Sequence, residues 1–252
     1  MERKIACITG ATSGIGKATA IALAGLGYAI IATGRRKERL EDLSKELPAG
    51  TDLLTLCFDV REKEEVQKIL GNLPKGWQDV DILVNNAGNA HGLDPIQSGS
   101  LEDWDAMMDI NVKGLLYVSK EIMPGMIARK SGIIVNIGSI AGKEVYPNGN
   151  VYCASKHAVD AITQGMRMDL NPFGIKVIGL HPGLVETEFS MVRFKGDAER
   201  SKKVYQGFQP LTPEDIAETI AFAVTRPAHV VLADIVMLPT AQASATVINK
   251  KL

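Results

Sequence analysis

Cysteine is scarce in this chain: three residues in 252, Cys7, Cys57 and Cys153. Their number is odd, they lie far apart, and no CxxC pair or Cys/His cluster at zinc-ligand spacing accompanies them. A disulfide scaffold and a structural zinc site are thereby excluded, and the three read as free thiols. Charge of one sign is lacking too. With 28 basic and 29 acidic residues the formal net charge is -1, so nothing favours a polyanionic partner such as nucleic acid. No stretch approaches the roughly 18 to 20 consecutive apolar residues that span a bilayer. The N-terminal MERKIACITG enters an apolar run at once, without a signal-peptide core or a small-residue cleavage site. A cytoplasmic protein with no membrane partner is expected. Repeats, low-complexity tracts and linker-like runs are also missing, and 252 residues can bury a substantial core, so residues 1–252 read as one domain.

What is present is a recurrence of short runs rich in Ile and Val: KIACIT (4–9), YAIIAT (28–33), LLTLCF (53–58), DILVNN (81–86), GIIVNI (132–137), KVIGLH (176–181) and VVLADIVML (230–238). Each has the length and composition of a buried strand. Between them, 15–26, 37–47, 63–70 and 151–170 carry helical spacing. The alternation predicts βαβ crossovers, and so an α/β, Rossmann-like doubly wound fold: a seven-stranded parallel sheet with helices on both faces. Residues 184–208 are polar and poorly periodic; they read either as a substrate loop or as an ordinary irregular excursion.

TGATSGIG, residues 9–16, follows the first strand and opens the first helix. Gly10, Gly14 and Gly16 allow a tight turn and a close backbone approach, and the N–H groups around Thr12, Ser13, Gly14 and Ile15 sit at a helix N-terminus that favours an anion. This strand-turn-helix context predicts binding of a dinucleotide pyrophosphate. About 20 residues further on, NAD-binding folds place an Asp or Glu for the ribose 2′-hydroxyl. Here the sequence reads Thr33-Gly34-Arg35-Arg36, with no carboxylate before Glu38. Two guanidinium groups suit a 2′-phosphate, so NADP(H) is the expected cofactor; a solvated, charged helix start is the alternative for the arginines.

The GxxxGxG spacing resembles the short-chain dehydrogenase/reductase family, and the resemblance extends through NNAG at 85–88, Asn111, Ser139, Tyr-Cys-Ala-Ser-Lys at 152–156, and Pro182-Gly183 followed by Thr187. It implies an adenine contact at Asp59 and Val60, an adenosine-ribose contact at Asn86, Ala87 and Gly88, and closure of Pro182, Gly183, Val185 and Thr187 over the nicotinamide. Asp59 reads equally well as a helix N-cap. The resemblance also gives Lys156 the nicotinamide ribose and Asn111 a water that connects Lys156 to solvent.

Tyr152 and Lys156 are four residues apart and share a helix face. A free tyrosine titrates near 10, too high for an efficient base at neutral pH. A neighbouring ammonium and a positively charged nicotinamide stabilise phenolate, so Tyr152 is expected to take the alcohol proton in oxidation and to return it in reduction. Ser139 follows a strand at its carboxyl end, where α/β sheets place ligands, and its hydroxyl suits the substrate oxygen.

Four longer stretches, ATGRRKERL (32–40), VETEFSMVRFKGD (185–197), LTPEDIAE (211–218) and PAHV (227–230), resemble the NADP-dependent 3-hydroxy acid dehydrogenases, also described as serine or allo-threonine dehydrogenases and malonic semialdehyde reductases. The likeness implies a small 3-hydroxy acid or 3-oxo acid substrate and a homotetramer, with 239–252 as a subunit-packing segment or a tail. Arg193 is a candidate partner for the substrate carboxylate, with pairing to Glu186, Glu188 or solvent as the alternative. His91 and His181 receive no role. A broad carbonyl reductase and an idle NADP-binding sensor on the same fold are the rival readings.

Overall fold

Seven of the apolar runs form strands in the computed structural model, which describes residues 3–250. They are β1 (Ile5–Ile8), β2 (Ala29–Gly34), β3 (Leu53–Cys57), β4 (Ile82–Asn85), β5 (Ile133–Ile137), β6 (Lys176–Pro182) and β7 (Asp234–Met237). All pair in parallel, in the order β3-β2-β1-β4-β5-β6-β7. Met1, Glu2 and the last two residues of the 239–252 stretch lie outside the described residues.

The helices are α1 (Gly14–Gly25), α2 (Lys37–Leu43), α3 (Lys63–Leu70), α4 (Leu101–Met108), α5 (Leu115–Arg129), α6 (Asn150–Leu170), α7 (Phe189–Arg193), α8 (Ala198–Tyr205) and α9 (Pro213–Val224). Strand side chains alternate between the two faces, as the pleat requires. Ala6 and Ile8 of β1 point into one core with Leu23 of α1, Leu40 of α2 and Ile216 and Ile220 of α9. Ile5 and Cys7 point into the other, with Val66 of α3, Val118 and Ile122 of α5, and Val159 and Met166 of α6. Burial of a single aliphatic side chain of this kind stabilises by about 1.5–3 kcal/mol. Helix α9 starts on a reciprocal cap: Thr212 accepts from the Asp215 N–H while the Asp215 carboxylate accepts from the Thr212 N–H, with Pro213 in the first turn.

Four expectations need correction. The strands at the sheet edges are not buried: β3 exposes Thr55 and Cys57, and β7 exposes Asp234 and Val236. The 230–238 run yields a strand only over Asp234–Met237, because the Val230 N–H turns back to the Pro227 carbonyl at 2.9 Å and pairing with β6 begins at Gly179 opposite Asp234. The 37–47 helix ends at Leu43; Leu47 precedes Pro48, whose ring disfavours helical backbone in the residue before it. Residues 184–208 are not irregular throughout, since they contain α7 and α8, the latter capped by Asp197 accepting from the Arg200 N–H.

Between α4 and α5 the backbone forms a π-helical turn, Asp109–Gly114. Such turns carry one residue more than an α-helix of the same length and concentrate at functional sites. Asn111 lies within it.

Candidate active site

The chain reverses its direction of sheet growth between β1 and β4, and open α/β sheets bind ligands outside the carboxyl ends of strands at such a point. Thr9 ties the two strand ends together: its Oγ1 accepts from the N–H groups of Asn86 and Ala87, both at 3.0 Å, and the Asn86 amide donates to the Thr9 carbonyl at 2.9 Å. A cavity of about 520 Å³ opens there. Gly10, Thr12, Ser13, Gly14 and Ile15 line it, as do Arg35, Arg36, Asp59 and Val60. So do Asn86, Ala87 and Gly88, and Pro182, Gly183, Val185 and Thr187.

Gly10 and Gly14 adopt φ of +69° and +50°, a region that favours glycine. Gly16 does not line the cavity. A Cβ there would lie 2.3 Å from the Gly10 carbonyl oxygen, so this glycine serves the close approach of helix to strand. Ser13 at the head of α1 makes no side-chain cap, and the first turn holds no acidic residue. Its free N–H groups and the bare glycine backbone fit a dinucleotide pyrophosphate.

Both arginines after β2 already have carboxylate neighbours. Arg35 Nη1 lies 3.6 Å from Asp59 Oδ2, and Arg61 holds the same carboxylate at 2.7 Å. Asp59 does not cap α3; its carboxylate accepts from the Arg61 N–H at 3.0 Å, and Glu62 occupies the cap position. Arg36 donates from Nη2 to Thr12 Oγ1 at 2.9 Å and to Ser13 Oγ at 2.7 Å, and from Nη1 to Glu188 Oε2 at 2.8 Å. It is therefore folded over the phosphate turn.

At the other end Tyr152 and Lys156, one turn apart on α6, line the same cavity as Ser139. Ser139 follows β5 and caps the short turn Ile140–Gly142, its Oγ accepting from the Ala141 N–H at 3.1 Å. Burial pushes the Tyr152 phenol well above its ordinary value, with Tyr146 adding to the effect; a hydrogen bond from Ser139 and the Arg193 guanidinium pull the other way. Lys156 faces the same cavity from one turn further along α6. Its ammonium donates to the Ile137 carbonyl at 2.9 Å, and burial brings it down to about 8.

Asn111 does not reach the cavity. Its amide donates to the Asn89 carbonyl at 2.8 Å and to Ser155 Oγ at 3.0 Å, while its Oδ1 accepts from the Asn89 N–H at 2.9 Å. A Cβ on Gly88 would lie 2.8 Å from Asn111 Oδ1 and 3.6 Å from Lys156 Nζ, so Asn111 stands behind Gly88 and fixes the loop against which Lys156 packs.

Arg193, at the end of α7, donates to the Gly92 carbonyl at 3.1 Å and to the Tyr146 hydroxyl at 3.0 Å, with its guanidinium 5.6 Å from the Tyr152 ring centre. Its Nη2 is buried without a partner. Arg193 pairs with neither Glu186 nor Glu188, and Glu188 is turned to Arg36 and Arg39. Sequence reading missed Tyr146 and Phe189, whose ring packs 5.6 Å from that of Tyr152, and Gln242, whose Oε1 accepts from the Leu184 N–H at 2.9 Å. Only the third carried a signal, as a polar residue in an otherwise small and apolar stretch. His181 lies buried beside the site, Nε2 2.8 Å from Asp234 Oδ1; Lys143 supplies the cation for Asp234 and Asp160 at 2.8 and 2.9 Å.

A phosphate turn at the switch point and a Tyr-Lys-Ser set facing it across one cavity define a dinucleotide-dependent oxidoreductase site. The sequence profile described as short chain dehydrogenase matches residues 4–198, and the chain belongs to the short-chain dehydrogenase/reductase family. Among its relatives, the NADP-dependent 3-hydroxy acid dehydrogenase YdfG of Salmonella typhi is 46% identical over 242 residues, 96% of this chain and 97% of that protein. Serine 3-dehydrogenase of Rhizobium radiobacter is 43% identical over 238 residues, 94% of each chain. The closed form of serine dehydrogenase complexed with NADP+ superposes with a TM-score of 0.91 at 42% identity, covering 98% of this chain and 100% of that one.

Proposed function

We propose that the protein is an NADP(H)-dependent oxidoreductase that interconverts a small 3-hydroxy acid and its 3-oxo acid. The observation that carries the reading is the buried, unpartnered Nη2 of Arg193 beside Tyr152. A guanidinium nitrogen left in this state costs free energy that a carboxylate relieves, and a carboxylate there leaves its hydroxyl-bearing carbon within reach of Tyr152 and Ser139. The names of the relatives point to the same substrate class.

Bound NADP(H) supplies the hydride acceptor or donor. Tyr152 holds its proton at neutral pH because burial raises the phenol, the form that protonates a carbonyl oxygen in reduction. In oxidation the same oxygen takes the hydroxyl proton, helped by the positive charges of Lys156 and the nicotinamide. Ser139 donates to the substrate oxygen and so supports the charge that develops there. Lys156 turns to the nicotinamide ribose, Arg35 and Arg36 hold the 2′-phosphate, and Asn111 positions Lys156 through Asn89 and Gly88. Asp59 and Val60 take the adenine.

The same reading includes a homotetramer and a cytoplasmic location. Leu116 on α5 and Met168 on α6 are exposed on one side of the sheet and Phe222 on α9 on the other, with Val236 exposed on the edge strand β7, and exposed apolar groups on both sides suit a dimer of dimers. Three free thiols suit a reducing compartment. Among the described residues no helix is long and apolar enough to cross a membrane.

The test follows NADPH absorbance with serine, allo-threonine, 3-hydroxypropionate, 3-hydroxyisobutyrate and their oxidised partners. Turnover of these acids with NADP(H), and a loss of roughly 10²- to 10⁴-fold in Tyr152→Phe, are expected. Preference for NAD, or for the methyl esters over the acids, overturns the reading.

A further inference from the structure

Glu188 stands immediately before α7 and reaches back across the cavity to the arginines that follow β2. Arg36 Nη1 meets its Oε2 at 2.8 Å and Arg39 Nη1 meets its Oε1 at 2.6 Å. Burial opposes ionisation, but hydrogen bonds from Arg36 and Arg39 outweigh it and hold the carboxyl at about 2. The Nε and Nη2 donors of Arg36 are also committed, Nε at 3.2 Å and Nη2 at 2.9 Å to Thr12 Oγ1, and Nη2 at 2.7 Å to Ser13 Oγ. A phosphate oxygen that engages this guanidinium therefore meets a group with a single N–H, on Nη1, left open, and the partner on that same nitrogen is an anion.

The local charge count has the same sense. Arg35, Arg36, Arg39 and Arg61 contact two carboxylates, Asp59 and Glu188, leaving two positive charges, which matches a phosphate dianion. Displacement of Glu188 from Arg36 does not strand the carboxylate, because Arg39 retains its second oxygen.

Resting on the NADP(H) reading above, we propose that Glu188 is a tethered competitor of the cofactor 2′-phosphate for Arg36, and so a residue that sets cofactor affinity and release. NADP(H) binds against this internal anion; a dinucleotide without the 2′-phosphate leaves the pair intact. The oxidised and reduced cofactors then exchange faster than the arginines alone would permit. The groups are partly exposed and screened by salt, so the effect is one of several-fold rather than many orders of magnitude.

The experiment measures binding of 2′,5′-ADP and of 5′-ADP to wild-type protein and Glu188→Gln by calorimetry, at low and high salt. We expect the variant to bind 2′,5′-ADP about three- to tenfold more tightly at low salt, the gain shrinking as salt is raised, with 5′-ADP binding unchanged. Stopped-flow fluorescence should show slower NADPH dissociation in the variant. Unchanged or weaker 2′,5′-ADP binding by Glu188→Gln overturns the proposal, as does equal tightening for both nucleotides, which would mark a general loosening of the loop. Wild-type protein that fails to distinguish the two nucleotides overturns the NADP(H) reading itself.

Discussion

A buried lysine is costly, and Lys156 shows what the site gives up for its chemistry. Its side chain is 6% exposed and its ammonium is held down to about 8 by desolvation. The unfolded chain binds that proton up to about 10.4, so Lys156 opposes folding fully below about pH 8, and stability is regained as the pH rises from about 8 to 10.4. The difference corresponds to about 3 kcal/mol at neutral pH, partly offset by about 1 kcal/mol for the hydrogen bond to Ile137. Lys156→Met is therefore expected to raise the stability of the cofactor-free protein at pH 7 by about 1–2 kcal/mol in urea titration, while activity is lost. The gain should vanish by about pH 10. A sequence makes Tyr152 and Lys156 visible through their spacing but not their burial, and burial is what pushes the phenol up and the ammonium down. The pairing of Glu188 with Arg36 and the place of Tyr146 beside Arg193 were invisible for a related reason: each contact joins residues more than 40 positions apart, brought near only by the folded loop.

At the scale of elements, a polar ladder crosses the sheet directly beneath the site. Asn85 on β4 pairs in register with Asn136 on β5. Its amide donates to Asn136 Oδ1 at 2.8 Å and to Ser119 Oγ on α5 at 2.9 Å, and Asn136 donates to Thr163 Oγ1 on α6 at 3.0 Å. Each buried polar group of this kind that loses a partner costs stability. Asn136→Leu leaves Asn85 and Thr163 each short of a partner, and the expected cost is about 1–3 kcal/mol, read as a lowered urea midpoint with KM for the cofactor little changed. The strands and the long helix α6 were legible because buried parallel strands are uniformly apolar and α6 has a clear helical period. The end of α2, the length of β7 and the helical nature of 189–205 were not, since a following proline, an edge position and a polar surface decide them.

For the whole molecule, the exposed apolar side chains on both sides of the sheet carry the assembly prediction. Phe222 is 53% exposed on α9, a large aromatic group of the kind enriched where subunits meet. Phe222→Glu is expected to halve the mass of a tetramer in light scattering, to that of a dimer, while each subunit keeps its far-ultraviolet circular dichroism. A variant with unaltered mass would assign that face to solvent. The switch point between β1 and β4, by contrast, was implicit in the alternation of strand and helix, and the glycine turn marked which strand end would serve it.

The π-helical turn at Asp109–Gly114 also bears on how this chain tolerates insertion and deletion. Removing a single residue there would let α4 and α5 fuse into one regular α-helix, each backbone donor still finding an acceptor. The flanking faces of α4 and α5 would keep their orientation, because the π turn absorbs the extra residue without rotating one helix against the other, and the shift would fall on the residues of the turn itself. Asn111 would leave Asn89 and Ser155 while the helix itself survived. A one-codon loss at this point is therefore silent to secondary structure and severe for activity, so the length of this segment is constrained as tightly as its residues.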